Sequence, residues 1–130
     1  MSTQGPCWVA GLVVDDVGRV LLVARSEREW DLPSGVLRRG EPTAAAVRRV
    51  VAEQATIGVS VGYLLGVHPE VHDRPTLVFT AQHAQGRATA AGGTRRCRWV
   101  TPTAAVRLMG PTRAAQLAGI WASGDTRCTS

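Results

Sequence analysis

The sequence contains no lysine, so its whole positive charge is carried by 15 arginines. Set against ten acidic residues, they leave a formal net charge of +5. Guanidinium groups match phosphate oxygens in bidentate geometry, so this composition favours a phosphate-bearing ligand. The arginines are scattered and form no basic stretch with aromatic residues between them, which disfavours nucleic-acid binding. A small phosphorylated molecule is the expected partner.

Three other features are absent. The three cysteines show no Cys-x-x-Cys spacing, which argues against a disulfide framework or a zinc site and predicts reduced thiols. No apolar run approaches the roughly 18–20 residues of a membrane helix, and the first residues lack the pattern of a secretion signal. We therefore expect a cytoplasmic protein with no membrane association. Its 130 residues fit a single domain spanning 1–130, and a homodimer is compatible with this sequence.

Two short apolar runs rich in β-branched residues stand near the start of the chain, at residues 8–14 and 20–24. The polar segment between them contains Gly18, which can adopt a positive φ. Such a pattern predicts a β-hairpin.

The next segment, from Gly35 to Glu41, is predicted to be a loop bounded by two glycines. Residues 44–55 are predicted to form a helix that begins at Pro42 or Thr43, as helix starts favour. Apolar residues recur there at helical spacing, at Val47, Val50 and Val51.

Further strands are predicted at residues 57–67, 76–81 and 97–100, which are apolar or β-branched. A short helix is expected to begin at residues 101–103, and another helix at residues 111–122. Strands thus come before and after a helix, and a further helix follows. This order predicts an α/β (α+β) fold, with a mixed β-sheet sandwiched by helices.

The segment from residue 30 to residue 57 carries a spaced set of glycine, glutamate and arginine residues. Six positions fit the pattern G-x5-E-x7-R-E-U-x-E-E-x-G-U, in which U is aliphatic: Gly35, Glu41, Arg49, Val51, Glu53 and Ile57. Val50 and Gln54 stand where the pattern has glutamate, and Thr56 where it has glycine. The pattern is the signature of the Nudix hydrolase family, which this chain resembles over most of residues 8–108. The lead-in W-x-L-P at residues 30–33 is also similar.

The resemblance implies a Nudix-like fold in which the loop and helix form a cradle for a pyrophosphate group and its magnesium ions. Magnesium prefers oxygen ligands, and the family's helix supplies them from positions that share one face. On that face only Glu53 is an anion, because Val50 has no lone pair and Gln54 has no charge. Glu53 and the Gly35 carbonyl are the catalytic and metal-binding groups that the resemblance implies. Magnesium or manganese is expected to bind weakly if at all.

The resemblance gives Glu41 and Arg49 an architectural role, in which their ion pair fixes the loop on the helix. Gly35 is expected to supply backbone freedom in the loop. Residues on or near the loop are candidates for contact with the ligand, namely Arg25, Arg28, Arg38, Arg39 and Trp30.

A second polar cluster follows the third predicted strand. In an extended segment His68, Glu70 and His72 would share a face, since alternate residues do so. They are alternative acid/base or metal-binding residues. The other interpretation of this cluster is a polar loop between Pro69 and Pro75.

Three functions remain open. The first is a Nudix hydrolase-like enzyme that acts slowly, with magnesium, on a nucleoside diphosphate linked to another group. The second is a Nudix-fold protein that binds a small ligand without cleaving it. The third is a biosynthetic enzyme that uses the same pocket for non-hydrolytic acid/base chemistry, through His68 or His72.

Overall fold

The computed structural model of the protein describes residues 7–68, 75–87 and 96–110. Within these ranges the chain forms seven strands and two helices. In chain order they are β1 (Trp8–Val14), β2 (Val20–Ala24), β3 (Trp30–Asp31), β4 (Ser34–Val36), α1 (Thr43–Ala55), β5 (Gly58–His68), β6 (Thr76–Gln85), β7 (Cys97–Val100) and α2 (Pro102–Met109).

The strands form one mixed sheet in the order β3-β2-β1-β6-β5, with β4 also paired to β1 and β7 to β2. Strand β1 runs parallel to β6, in a register that sets Trp8 opposite Thr76 and Val14 opposite Gln82. The other pairings are antiparallel. Because β4 pairs with the start of β1, the chain that leads into α1 is fixed to the centre of the sheet.

Helices α1 and α2 pack against opposite faces of this sheet. Strand β1 shows the division, because alternate residues of a strand face opposite ways. Val9 and Val13 belong to the core cluster of α1, whereas Ala10 and Leu12 belong to the cluster that includes Ala105 of α2. The predicted mixed sheet between helices is confirmed.

The local predictions agree with the structure to different degrees. The hairpin strands and the strand at residues 97–100 have the predicted bounds, and a helix does begin at Pro102. The strand predicted at 76–81 extends to Gln85. The strand predicted at 57–67 runs instead from Gly58 to His68. The helix predicted at residues 111–122 lies outside the described residues.

The loop predicted from Gly35 onwards needs a correction. Its first two residues belong to β4, which pairs with β1 at Ala10↔Ser34, Val9↔Gly35 and Trp8↔Val36. Pairing with an adjacent strand thus overrides the local preference of a proline and a glycine for irregular structure.

Helix α1 ends at Ala55 and is capped by Thr56, whose backbone adopts the left-handed conformation with φ 59° and ψ 32°. Its N–H donates to the Ala52 carbonyl at 3.0 Å, which closes the last turn. A side chain with a Cβ is strained in this conformation, and glycine is the usual residue there. Thr56 therefore departs from the Nudix pattern at a position where the backbone itself favours glycine.

Candidate functional site

Glu41 and Arg49 join the loop to α1 through a bidentate ion pair. Arg49 Nε donates to Glu41 Oε2 at 2.9 Å and its Nη2 to Glu41 Oε1 at 3.0 Å. The same Nη2 donates to the Val36 carbonyl at 2.8 Å, so one guanidinium holds both the loop and β4. Glu41 Oε1 also accepts from the Arg38 N–H at 3.1 Å. These contacts fix the path of the chain between β4 and α1.

The pKa of Glu41 reports on this ion pair. Hydrogen bonds from the Arg49 side chain lower the pKa of Glu41 from 4.5 to about 2, with a smaller contribution from the Arg38 backbone. A carboxyl group whose pKa is lower in the folded state than in the unfolded state stabilises the fold at any pH above its unfolded-state pKa. This stabilisation is lost as the pH falls through its folded-state pKa.

We therefore expect Glu41→Gln to lower the free energy of unfolding near neutral pH. The difference in this free energy between the variant and the native protein should narrow as the pH falls from about 4.5 to about 2. Urea unfolding of both proteins at a series of pH values measures this difference. Glu29→Gln, at an exposed position, is the control and should show no comparable narrowing. A difference between native and Glu41→Gln that stays constant across this range would contradict the assignment.

Glu53, the acidic residue of helix α1, is already paired with two arginines. Its Oε1 accepts from Arg49 Nη1 at 3.2 Å, and its Oε2 lies 3.7 Å from Arg38 Nη2. Half of its side chain is exposed, at 51%. A cation at Glu53 would therefore compete with two guanidinium groups for one carboxylate.

Helical spacing predicts that position 50 lies on the face of α1 that carries Glu53, and the structure places Val50 at the buried edge of that face. Val50 is 2% exposed and belongs to the α1 core cluster. The side of α1 that faces the sheet includes position 50, since Ala46, Val47 and Val51 are buried with it. The residue that replaces the first glutamate of the helix is thus part of the hydrophobic core.

Gly35 lies directly against Val50. A Cβ added to Gly35 would stand 2.9 Å from Val50 Cγ2. Gly35 is not among the described glycines with positive φ, whereas Gly40 in the same loop has a φ of 76°. The expected role of Gly35 in backbone freedom is therefore corrected: glycine is needed there because the helix approaches closely, and Gly40 provides the unusual backbone conformation.

Gln54 binds strand β4. Its Nε2 donates to the Ser34 carbonyl at 2.8 Å. In the β1–β4 ladder, Leu37 N donates to Cys7 O and Gly11 N to Pro33 O, at 2.9 and 3.0 Å. Hydrogen-bonded residue pairs alternate with non-hydrogen-bonded pairs along an antiparallel ladder. Gly35 is therefore hydrogen-bonded to Val9 of β1, and the Ser34 carbonyl points away from β1. It is thus the Ser34 carbonyl, and not that of Gly35, that points to α1.

These residues do not fit a tightly held magnesium or manganese ion. Such an ion needs several oxygen ligands with negative charge among them. The helix offers one carboxylate, already bound by two arginines, and an amide whose nitrogen faces the nearest carbonyl. Within residues 7–68, 75–87 and 96–110, no group of three or more His, Cys, Asp or Glu side chains could hold a metal ion.

Two arginines lie against the ring of Trp30, which packs with the core cluster of α2 on the face of the sheet opposite to α1. The guanidinium carbons of Arg96 and Arg98 lie 5.3 and 5.5 Å from the centre of the Trp30 ring. Arg96 Nη2 also donates to the Glu27 carbonyl at 3.2 Å, which holds it in place. Sequence reasoning identified Trp30 as a ligand candidate but missed both arginines. Their signal was a spacing of two at the start of β7, with Arg96 just before the strand and Arg98 within it, because alternate residues of an extended chain point the same way.

The other ligand candidates differ in their surroundings. Arg25 pairs with the buried Asp31 at 3.1 Å, whereas Arg28 and Arg39 are exposed. Arg38 reaches Glu53, as described above. The structure therefore does not gather the five candidates into one contact group.

The alternative acid/base cluster falls largely outside the described residues. Only the backbone of His68, at the end of β5, is described, and Glu70 and His72 lie in the range 69–74. Their proposed convergence stays a prediction.

The family model of the NUDIX domain matches residues 7–118. A "MutT-like protein" of Streptomyces ambofaciens is 34% identical over 96 residues, which cover 72% of this chain and 62% of that protein. A protein of Bacillus subtilis (strain 168), named as an 8-oxo-dGTP diphosphatase, is 31% identical over 121 residues, or 90% of this chain and 78% of that protein. The chain belongs to the Nudix family.

A solved structure agrees on the fold. The C. elegans Ap4A hydrolase superposes with a TM-score of 0.72 at 14% identity, covering 88% of this chain and 96% of that one. The family typically uses a divalent metal, so the single, arginine-paired carboxylate on α1 is a departure of this member from the family pattern. Among the described residues, no helix is both long and apolar enough to cross a membrane.

Proposed function

We propose that this protein binds a nucleoside diphosphate linked to another group and hydrolyses it slowly. Membership of the Nudix family supports hydrolysis of a phosphorylated nucleotide as the type of reaction. The names of two similar proteins, an 8-oxo-dGTP diphosphatase and an Ap4A hydrolase, support a nucleotide as the ligand.

The observation that carries the proposal of slow turnover is the state of Glu53. It is the one anion on its face of helix α1, and Arg38 and Arg49 partly neutralise it. A cation bound there would have one shared carboxylate where the family pattern supplies three. Loss of a positioned acid or base costs about 10²–10⁴ in rate, and a similar loss is expected here.

The arginines near Trp30 support an anionic ligand. Guanidinium groups donate to phosphate oxygens in pairs, and an indole ring stacks on a nucleobase. Arg96 and Arg98 form no ion pair with a described carboxylate, unlike Arg25, Arg38 and Arg49. They therefore keep their charge available for an anionic part of the ligand at Trp30, on the α2 side of the sheet and apart from the bond that would be cleaved near Glu53 of α1.

The experiment is to incubate the protein with a panel of nucleoside diphosphate compounds and magnesium or manganese. Phosphate products report turnover, and calorimetry reports binding. We expect slow turnover that Glu53→Ala abolishes. In the double variant Arg96→Gln with Arg98→Gln, we expect binding to weaken roughly tenfold.

The control for charge is Arg87→Gln with Arg107→Gln, which removes two positive charges at exposed positions elsewhere. This variant should bind as the native protein does. An equal loss in both double variants would show a general charge effect, and the absence of both binding and turnover across the panel would overturn the proposal.

A second candidate is binding of the same ligand without cleavage. The contact between Gln54 and the Ser34 carbonyl favours it, because the amide nitrogen occupies the side of the carbonyl that faces α1. Tight binding with no turnover in either metal would establish this candidate over the first.

A further inference from the structure

We propose that the Gln54 side chain replaces a divalent cation as the link between helix α1 and strand β4, so that the Nudix cradle of this protein assembles without metal. The proposal concerns the protein alone and does not depend on the ligand or on turnover.

Two backbone carbonyls of β4 point outward from the sheet and are hydrogen-bonded to helix α1. Ser34 and Val36 direct their carbonyls away from β1, because the intervening Gly35 belongs to a hydrogen-bonded pair of the ladder. Each accepts a hydrogen bond from a side chain of α1, at 2.8 Å in both cases: Gln54 Nε2 on Ser34, and Arg49 Nη2 on Val36. Two side-chain donors therefore bind this edge of β4 to the helix.

The amide of Gln54 turns its nitrogen to β4. A carbonyl oxygen only accepts hydrogen bonds, so the group that meets Ser34 O is the NH₂ of Gln54. A bridging cation would require the opposite orientation, with two oxygens facing it. The Gln54 Oε1 atom is buried and has no hydrogen-bond partner among the described residues. The side chain thus leaves its acceptor unpaired while its donor holds the strand, which is the reverse of a metal ligand.

The family pattern has a glutamate at position 54, and a glutamate could not form this contact. A carboxylate against the Ser34 carbonyl would bring two electronegative oxygens together, with Glu53 next to it in sequence. This arrangement is costly unless a cation lies between the oxygens. Glutamine removes the charge and adds a donor, so one substitution abolishes the need for the ion and supplies the link.

The test compares the melting temperatures of the native protein and Gln54→Glu, each in a chelator and in roughly 10 mM magnesium. We expect the native melting temperature to change by about 1 °C or less between the two conditions. In the chelator, Gln54→Glu should melt roughly 3–6 °C lower than the native protein, because it loses the link. Magnesium should restore most of that loss.

Two control variants separate the link from a general effect of charge. Gln54→Leu removes the donor without adding charge, so it should melt lower in both conditions and ignore magnesium. Gln82→Glu adds the same charge at an exposed position of β6 and should show no response to magnesium. A native protein stabilised by magnesium as strongly as Gln54→Glu, or a Gln54→Leu variant as stable as the native protein, would overturn the proposal.

Discussion

Replacing Val50 and Gln54 together with glutamate should raise magnesium-dependent cleavage of a nucleoside diphosphate substrate by roughly 10²–10⁴-fold. The native helix face has the single carboxylate of Glu53, shared between Arg38 and Arg49. Two more carboxylates would supply the charge and the oxygen ligands that magnesium requires. Initial rates of phosphate release from the native and double-variant proteins, over a range of magnesium concentrations, measure the gain.

This gain should require both the charge and the native acid. Val50→Gln, with Gln54 left in place, makes position 50 polar without charge and should leave the rate unchanged. Adding Glu53→Gln to the double variant should remove the gain. Since Val50 is buried, circular dichroism must first show that each variant is folded. A folded double variant that cleaves no faster than the native protein would mean that the missing glutamates do not limit turnover.

The hairpin and helix α1 follow from local pattern alone. Strands β1 and β2 have the bounds predicted from two apolar runs around a glycine-containing turn. Helix α1 begins at Thr43, one of the two start positions that the sequence predicts. These elements are predictable because their apolar residues repeat with the period of the structure they form, so that each segment contains its own signal.

Strand β4 and the direction of its carbonyls were not predictable from local pattern. The three residues of β4 include a glycine and follow a proline, and they are extended because β1 lies beside them. Which carbonyl faces α1 depends on the register of that pairing. A shift of one residue would exchange Ser34 for Gly35, and register is a property of two segments that are distant in sequence.

The position of Val50 was likewise decided by tertiary packing. Helical spacing places residues 50, 53 and 54 near one another but does not say where the sheet ends and solvent begins. In the structure this boundary passes between Val50, which is 2% exposed, and the half-exposed Glu53. A valine suits this buried position. The sequence indicates its burial only if Val50 is counted with the apolar residues of the helix and not as the replacement of a metal ligand.

The packing of Val50 on Gly35 leads to the second large effect. Gly35→Ala should destabilise the protein by about 1–3 kcal/mol, the usual cost of an extra methyl group in a filled core. The added Cβ would stand 2.9 Å from Val50 Cγ2, so either β4 or Val50 must shift, and valine is not a long, flexible side chain whose far end could move away cheaply. Val50→Ala alone should also destabilise, because it leaves a cavity.

In the double variant the two changes should compensate, since the methyl group at position 35 takes space that Val50 has vacated. We expect a coupling energy of about 0.5–3 kcal/mol in a double-mutant cycle measured by urea unfolding. Gly18→Ala provides a contrast: Gly18 has a φ of 85° with no atom within 4 Å of an added Cβ, so its cost is conformational and should not couple to Val50. If the changes in unfolding free energy at positions 35 and 50 are additive, glycine is needed at position 35 because of its backbone conformation. If these changes are coupled, glycine is needed because of the contact with Val50, the side chain that stands where the family pattern has its first metal-binding glutamate.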